Sequence, residues 1–257
     1  MRILLLVPVF ALLLFLSAGA AADSLSPWEM AGADEALSPP APAAEGENAD
    51  RRAFIDDMIA TAEKRYREAH GRPQRAQNSG DIYVCKNFTV HLFRENCKKY
   101  SMAAYPDVPL VIPNNLKKAD CAPYAYGVCW QEVAAEQGNP FEVAAAFRYD
   151  EGKSPAENRE AALALMQEVR RGDFFQMSAN YYYGTGAHSL VFIADYDPER
   201  DAVRWTDSNM KGFSEGGVRY AYVQYDAEKE IGWFADAFCQ KKRGATLYRL
   251  RNDIVAR

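Results

Sequence analysis

The sequence predicts an α+β domain, with N-terminal helices packed on an antiparallel β-sheet. Three observations predict it. An amphipathic charged segment opens the folded part at 51–69. A second strong helix pattern, PAENREAALALMQEVRR, occupies Pro155 to Arg171. From Phe174 onward, short apolar runs alternate with turn residues. Helices first and strands later read as a segregated fold rather than as alternating βαβ units.

Composition narrows the class. Of 257 residues, 49% are hydrophobic and 25% charged, the balance of a globular chain and not of a disordered one or a coiled coil. Lys and Arg total 30 against 35 Asp and Glu, a net charge of −5 with no basic block, which argues against nucleic acid as a partner. Beyond the N-terminus no run approaches the roughly eighteen apolar residues of a membrane span.

Residues 1–22, MRILLLVPVFALLLFLSAGAAA, have one Arg, an apolar run and a small-residue end, the pattern of a cleaved secretory signal peptide. The expected location is periplasmic or secreted, with no stable membrane span after cleavage. Residues 23–50, with LSPPAPAAEGENAD, are Pro-, Ala- and acid-rich and are expected to form a disordered linker. The folded domain is then 51–257, the size of one domain and expected to be monomeric.

Within it, Phe54, Met58 and Ala62 mark one stripe of the helix at 51–69, ended by Gly71 and Pro73. A second helix is expected from about Ile82 to Tyr100, with Ile82, Cys85, Phe88, Thr89, Leu92 and Phe93 on one side. Segment 103–122 reads as loop with a short strand from Val108 to Ile112, and 127–149 as a helix. Gly172 stops the helix that begins at Pro155. Strands are expected at Phe174–Met177, His188–Ile193, Ala202–Asp207, Val218–Tyr225 and Ala245–Leu250, with a turn at Asp197-Pro198-Glu199-Arg200. Whether 51–73 is a removable pro-segment is left open by spacing.

Five cysteines occur, Cys85, Cys97, Cys121, Cys129 and Cys239, so in a secreted protein at least one thiol stays unpaired. Cys85 is the candidate, because the N–H groups and dipole at a helix start stabilise a thiolate. The other four are expected to form two disulfides. An inert buried thiol or a disulfide half is the competing reading of Cys85. Of the three histidines, His70 sits at a helix end, and His91, six residues after Cys85, lies about 120° away around the helix. His188 opens a buried strand after Gly184-Thr185-Gly186 and suits a general base, against the alternative of a hydrogen-bonded structural histidine. A hairpin centred on Pro198-Glu199 sets Asn209 opposite His188, and a two-residue slip sets Asp207 there. Asp207 and Asn209 are therefore both candidates to orient the ring.

Four segments, in this order, carry a resemblance: Asp81-Ile82-Tyr83-Val84-Cys85-Lys86-Asn87-Phe88, then Gly172-Asp173-Phe174-Phe175, then Gly186-Ala187-His188-Ser189-Leu190-Val191-Phe192-Ile193, then Trp205-Thr206-Asp207-Ser208-Asn209. Together they resemble the papain-like cysteine peptidase superfamily, especially its NlpC-type and CHAP-type amidase branch. The Asp-Ser-Asn ending is similar to the Asp-x-Asn of the YopT-like peptidases. The likeness spans about Asp81 to Gly212. The sequence departs from the NlpC pattern at the nucleophile, where Val84-Cys85-Lys86 replaces Asp-Cys-Ser.

The resemblance implies a papain-like fold, Cys85 as nucleophile, His188 as base and Asp207 or Asn209 as orienter. Gln77 or Asn78 would join the Cys85 N–H in an oxyanion site. The aromatic run Tyr181-Tyr182-Tyr183 offers Tyr182 and Tyr183 as walls of a substrate cleft. The implied activity is a thiol hydrolase cleaving amide bonds in peptidoglycan stem peptides or a protein, with no metal or cofactor. A transglutaminase-like acyltransferase uses the same three residue types in the same order. A non-catalytic binding module on the same scaffold is the third reading.

Overall fold

The computed structural model describes residues 46, 48–78, 80–112, 134–177, 188–209 and 214–257. They fall within one compact unit, Pro40–Arg257. The expected signal peptide at 1–22 and the linker as far as residue 45 lie outside the described residues.

Helix α1 runs Ala49–Ala69, so it starts inside the stretch assigned to the linker. Asn48 explains this, because its side chain accepts the N–H groups of Asp50 and Arg51 at 2.8 and 3.3 Å. That is an N-cap, and Asp50 adds a favourable charge in the first turn. The helix ends at His70 (φ 47), whose N–H turns back to the carbonyls of Tyr66 and Arg67. Phe54, Ile55, Met58, Ile59 and Ala62 on α1 are buried. Each large one contributes roughly 1.5–3 kcal/mol, so α1 is part of the core.

Strand β1 (Gln74–Arg75) precedes α2 (Cys85–Arg94). The helix expected over Ile82–Tyr100 is thus shorter at both ends. It starts only after the Asn78–Asp81 turn, and a 3-10 turn at Cys97–Lys99 follows it. Asn96 makes the break, donating its side-chain amide to Thr61 Oγ1 of α1 at 3.0 Å. Strands β2 (Tyr100–Met102) and β3 (Tyr105–Pro109) follow, the latter three residues earlier than the expected Val108–Ile112.

Phe141–Arg148 forms strand β4 where a helix was expected over 127–149, a correction; 127–133 lie outside the described residues. Ala144, Ala145 and Ala146 favour a helix by propensity. The ladder to a neighbouring strand overrides that preference. Helix α3 (Pro155–Gln167) starts in a capping box between Ser154 and Glu157. It is shorter than expected, and Gly172 (φ 86) stands five residues past its end. Then come β5 (Phe174–Met177), β6 (His188–Phe192), β7 (Ala202–Asn209), β8 (Ser214–Glu215), β9 (Val218–Glu230), α4 (Ile231–Lys241), β10 (Gly244–Leu250) and β11 (Ile254–Ala256). Helix α4 was not expected, though Ile231, Phe234, Ala235 and Phe238 follow an i, i+3, i+4, i+7 pattern and are buried.

The protein is thus mixed α+β, with four α-helices among the described residues and antiparallel sheets. The larger sheet has the order β1-β9-β7-β6-β5-β10-β4, with β8 on β9; the smaller is β11-β2-β3. Alternation along the central strands sends successive side chains to opposite faces. Phe174, Val191 and Tyr248 join the cluster beneath α1 and α2. Phe175, Leu190, Phe192, Trp205 and Leu247 join the cluster beneath α3 and α4. The sheet is therefore covered on both sides. Asn48 N–H donates to Asn252 Oδ1 and Ala256 N–H to Asp50 Oδ2, each at 3.0 Å, so the two ends of the folded unit are clasped. Among the described residues no helix is long and apolar enough to cross a membrane.

Candidate active site

Cys85 is the first residue of α2, and the turn before it is built by Asp81. The Asp81 carboxylate accepts the N–H groups of Gln77 and Asn78, both at 2.9 Å. Its carbonyl accepts Val84 N–H at 3.1 Å and the Asn87 amide at 2.9 Å. Val84, the N-cap, offers no capping side chain. First-turn N–H groups are then left for other acceptors, and Lys86 N–H serves the Cys85 sulfur, as does the N–H of Ser189 on β6.

His188 opens β6, opposite Met177 of β5. Its carbonyl accepts the Gln176 amide at 3.2 Å, and Gln176 Oε1 accepts the Ser189 hydroxyl at 2.6 Å. Two buried polar side chains, Gln176 and Ser189, thus fix the backbone carrying the ring. The hairpin register is the one expected from its turn, Val191 facing Thr206 and Phe192 facing Trp205. Among the described residues the β6–β7 ladder pairs only these, so the strands part toward His188 and Asn209.

Across that opening, His188 Nε2 lies 2.7 Å from Asp207 Oδ2. The Asn209 amide nitrogen is 3.5 Å from the same Nε2. His188 is 2% exposed and Asp207 1%. A one-residue bulge shapes this end of β7: from Trp205 to Asp207 the partner β9 runs from Ala227 to Gln224. Its extra residue brings in Asp226 (φ 58), gripped by both guanidinium arms of Arg204.

The electrostatics follow from the geometry. Burial alone would push the His188 pKa down. The hydrogen bond to Asp207, the Cys85 sulfur and the charges of both outweigh it and push it up to about 10. Burial likewise pushes the Cys85 thiol up. The His188 hydrogen bond and charge, then the N–H groups of Ser189 and Lys86, bring it below the ordinary 9.0. Nδ1 makes no hydrogen bond of ordinary geometry. With Nε2 held by Asp207, Nδ1 is the ring nitrogen not committed to another residue. Such a site favours a thiolate beside an imidazolium, the state that nucleophilic attack requires.

The fold therefore brings Cys85, His188, Asp207 and Asn209 together. Gln77 sits in the turn before α2, where its Oε1 accepts Arg219 N–H from β9 at 2.9 Å. Asn78 is exposed in that turn. Tyr182 and Tyr183 lie outside the described residues. Cys97 and Cys239 are thiols and not cystine halves, a correction to the expected pairing; Cys121 and Cys129 lie outside the described residues. Cys97 opens the 3-10 turn after α2, with its sulfur 3.6 Å from the Arg94 carbonyl. His91 is away from the sulfur, accepting Arg65 Nε at 2.9 Å. Sequence reasoning missed Gln176 and Ser189, whose signal was a polar residue in an otherwise apolar strand. Among the described residues no three His, Cys, Asp or Glu side chains gather as a metal site requires.

Compared with known proteins, the chain matches no family model, no curated protein and no solved structure.

Proposed function

We propose that the protein is a cysteine hydrolase of papain-like type that cleaves amide bonds in a secreted or periplasmic setting. One observation carries this reading: a thiol at a helix start, lowered in pKa, coupled to a buried imidazole that a carboxylate holds at 2.7 Å. A structural histidine needs no thiol partner, and an inert thiol would be raised by burial.

In the reaction the Cys85 thiolate attacks the amide carbonyl and forms a tetrahedral oxyanion. Cys85 N–H and a donor from the preceding turn, Gln77 or Asn78, are the groups proposed to receive that charge. The His188 Nδ1 proton passes to the amine nitrogen as the C–N bond breaks, leaving a thioester and neutral imidazole. Nδ1 then takes a proton from water as it attacks the thioester. The acid product leaves, and the thiolate and imidazolium return. Asp207 keeps Nε2–H directed and balances the imidazolium. Peptidoglycan stem peptide suits the address read from residues 1–22, and a protein is the other substrate class.

The test is hydrolysis of stem-peptide fragments and of a labelled unfolded protein by the purified chain, beside Cys85→Ala. The expected result is amide cleavage lost by a factor on the order of 10³ or more in the variant. Full hydrolysis after complete alkylation of Cys85 would refute the reading. Incorporation of an added amine in place of water would instead mark a transglutaminase-like acyltransferase. A Cys85 thiol that titrates no lower than 9.0 would mark a binding module.

A further inference from the structure

Cys85 and its base stand on different layers of the fold, so their separation depends on how the start of α2 is seated on the sheet. A hydrogen bond from β7 helps to seat it. Ser208 lies on β7 between Asp207 and Asn209 and is 0% exposed. Its side chain faces away from Asp207, and its hydroxyl donates to the carbonyl of Tyr83 at 2.7 Å. Tyr83 is two residues before Cys85, in the turn that Asp81 organises. The strand that orients the imidazole is thereby tied to the turn that delivers the sulfur.

We propose that Ser208 is a positioning residue that sets the Cys85–His188 separation through the Tyr83 carbonyl. The inference rests on the reading of that pair as nucleophile and base. β7 supplies its own control. Thr206, two residues earlier on the same side of the strand, is equally buried and also donates to a main-chain carbonyl, that of Gln224 at 2.7 Å. That bond runs within the sheet. A purely structural role predicts similar behaviour on removing either hydroxyl; a positioning role predicts that only Ser208 affects the sulfur.

The experiment measures the pH dependence of iodoacetamide alkylation at Cys85, followed by the mass of the Cys85 peptide so that other cysteines do not contribute. It compares the full chain with Ser208→Ala and Thr206→Val, with folding checked by circular dichroism. In Ser208→Ala the Cys85 midpoint rises by about one pH unit, a tenfold loss of thiolate below the midpoint. In Thr206→Val it stays unchanged. Should Ser208→Ala fail to fold, Ser208→Thr and Ser208→Val give the same comparison, because they differ in shape little beyond the hydroxyl. An unchanged midpoint without the hydroxyl, or an equal rise in Thr206→Val, overturns the inference. An ordinary midpoint near 9.0 in the unaltered chain instead overturns the functional reading beneath it.

Discussion

His188 Nε2 and Asp207 Oδ2 meet at 2.7 Å although the strand register does not set them face to face. Continuing the pairing of Val191 with Thr206 puts Leu190 opposite Asp207 and Asn209 opposite His188. The bond is therefore a diagonal one, made where the ladder has opened. A diagonal contact of this kind suits a carboxylate, whose second oxygen tolerates a change of angle.

The first prediction concerns the choice between the two orienters. Asp207→Asn removes the charge that raises His188, so the ring's pKa falls from about 10 and the Cys85 thiol rises toward its ordinary value. Hydrolysis should drop by a factor on the order of 10² or more. Asn209→Ala should cost less than tenfold, as its amide stands at 3.5 Å from Nε2. Steady-state kcat/KM for the two variants checks the order, and the reverse order would reassign the orienting role.

A second prediction is the pH window. The productive form needs Cys85 deprotonated and His188 protonated. Hydrolysis should therefore rise as pH passes a Cys85 midpoint below 9.0 and fall as His188 loses its proton near 10. Alkylation of Cys85 needs only the thiolate, so its rate should not fall across the alkaline limb. Parallel profiles of the two rates check this; a shared alkaline decline would contradict it.

A third prediction concerns Gly172. Its φ is 86, and a Cβ there would lie 2.7 Å from Cδ1 and Cγ1 of Ile55 on α1. Gly172→Ala combines left-handed strain with crowding of the core, about 2–4 kcal/mol together. Urea unfolding should show a lower midpoint at unchanged slope. A loss under about 1 kcal/mol would mean that α1 gives way readily.

A fourth prediction tests the buried pair of Asp173 and Arg249. Asp173 is 0% exposed, and Arg249 Nη2 contacts its carboxylate at 2.7 Å. Burial pushes the Asp173 pKa up, and Arg249 offsets only part of that. Arg249→Met strands the carboxylate and should cost about 3–5 kcal/mol. A group whose folded value lies above the unfolded one is relieved by protonation, so the variant should regain relative stability as pH falls. Chemical denaturation at neutral and mildly acidic pH checks both statements.

The turn at Asp197-Pro198-Glu199-Arg200 made the β6–β7 register legible, because turn geometry fixes hairpin pairing. Cys85 and His188 were legible as groups at element starts, where polar residues have reason to be. The choice between Asp207 and Asn209 was not, since it depends on a ladder that opens and on a bulge at Asp226, both tertiary effects. β4 was misread because three alanines carry helix propensity that an edge ladder overrides. α4 went unseen although its apolar period was present, because Gly232 and the aromatic residues weaken its propensity. The cysteine count implied pairing, but counting carries no geometry, and Cys97 and Cys239 stay as thiols.

Tyr83 and Ser208, joined by one hydrogen bond, lie 125 residues apart along the chain. Closing so long a loop brings no reward until the intervening elements have condensed. No fragment ending before β7 contains both ends of that bond, and any opening that lifts the start of α2 from the sheet breaks it. If Cys85 is the nucleophile proposed above, its reactivity toward an electrophile is a built-in gauge of the native population, able to report unfolding without an added dye.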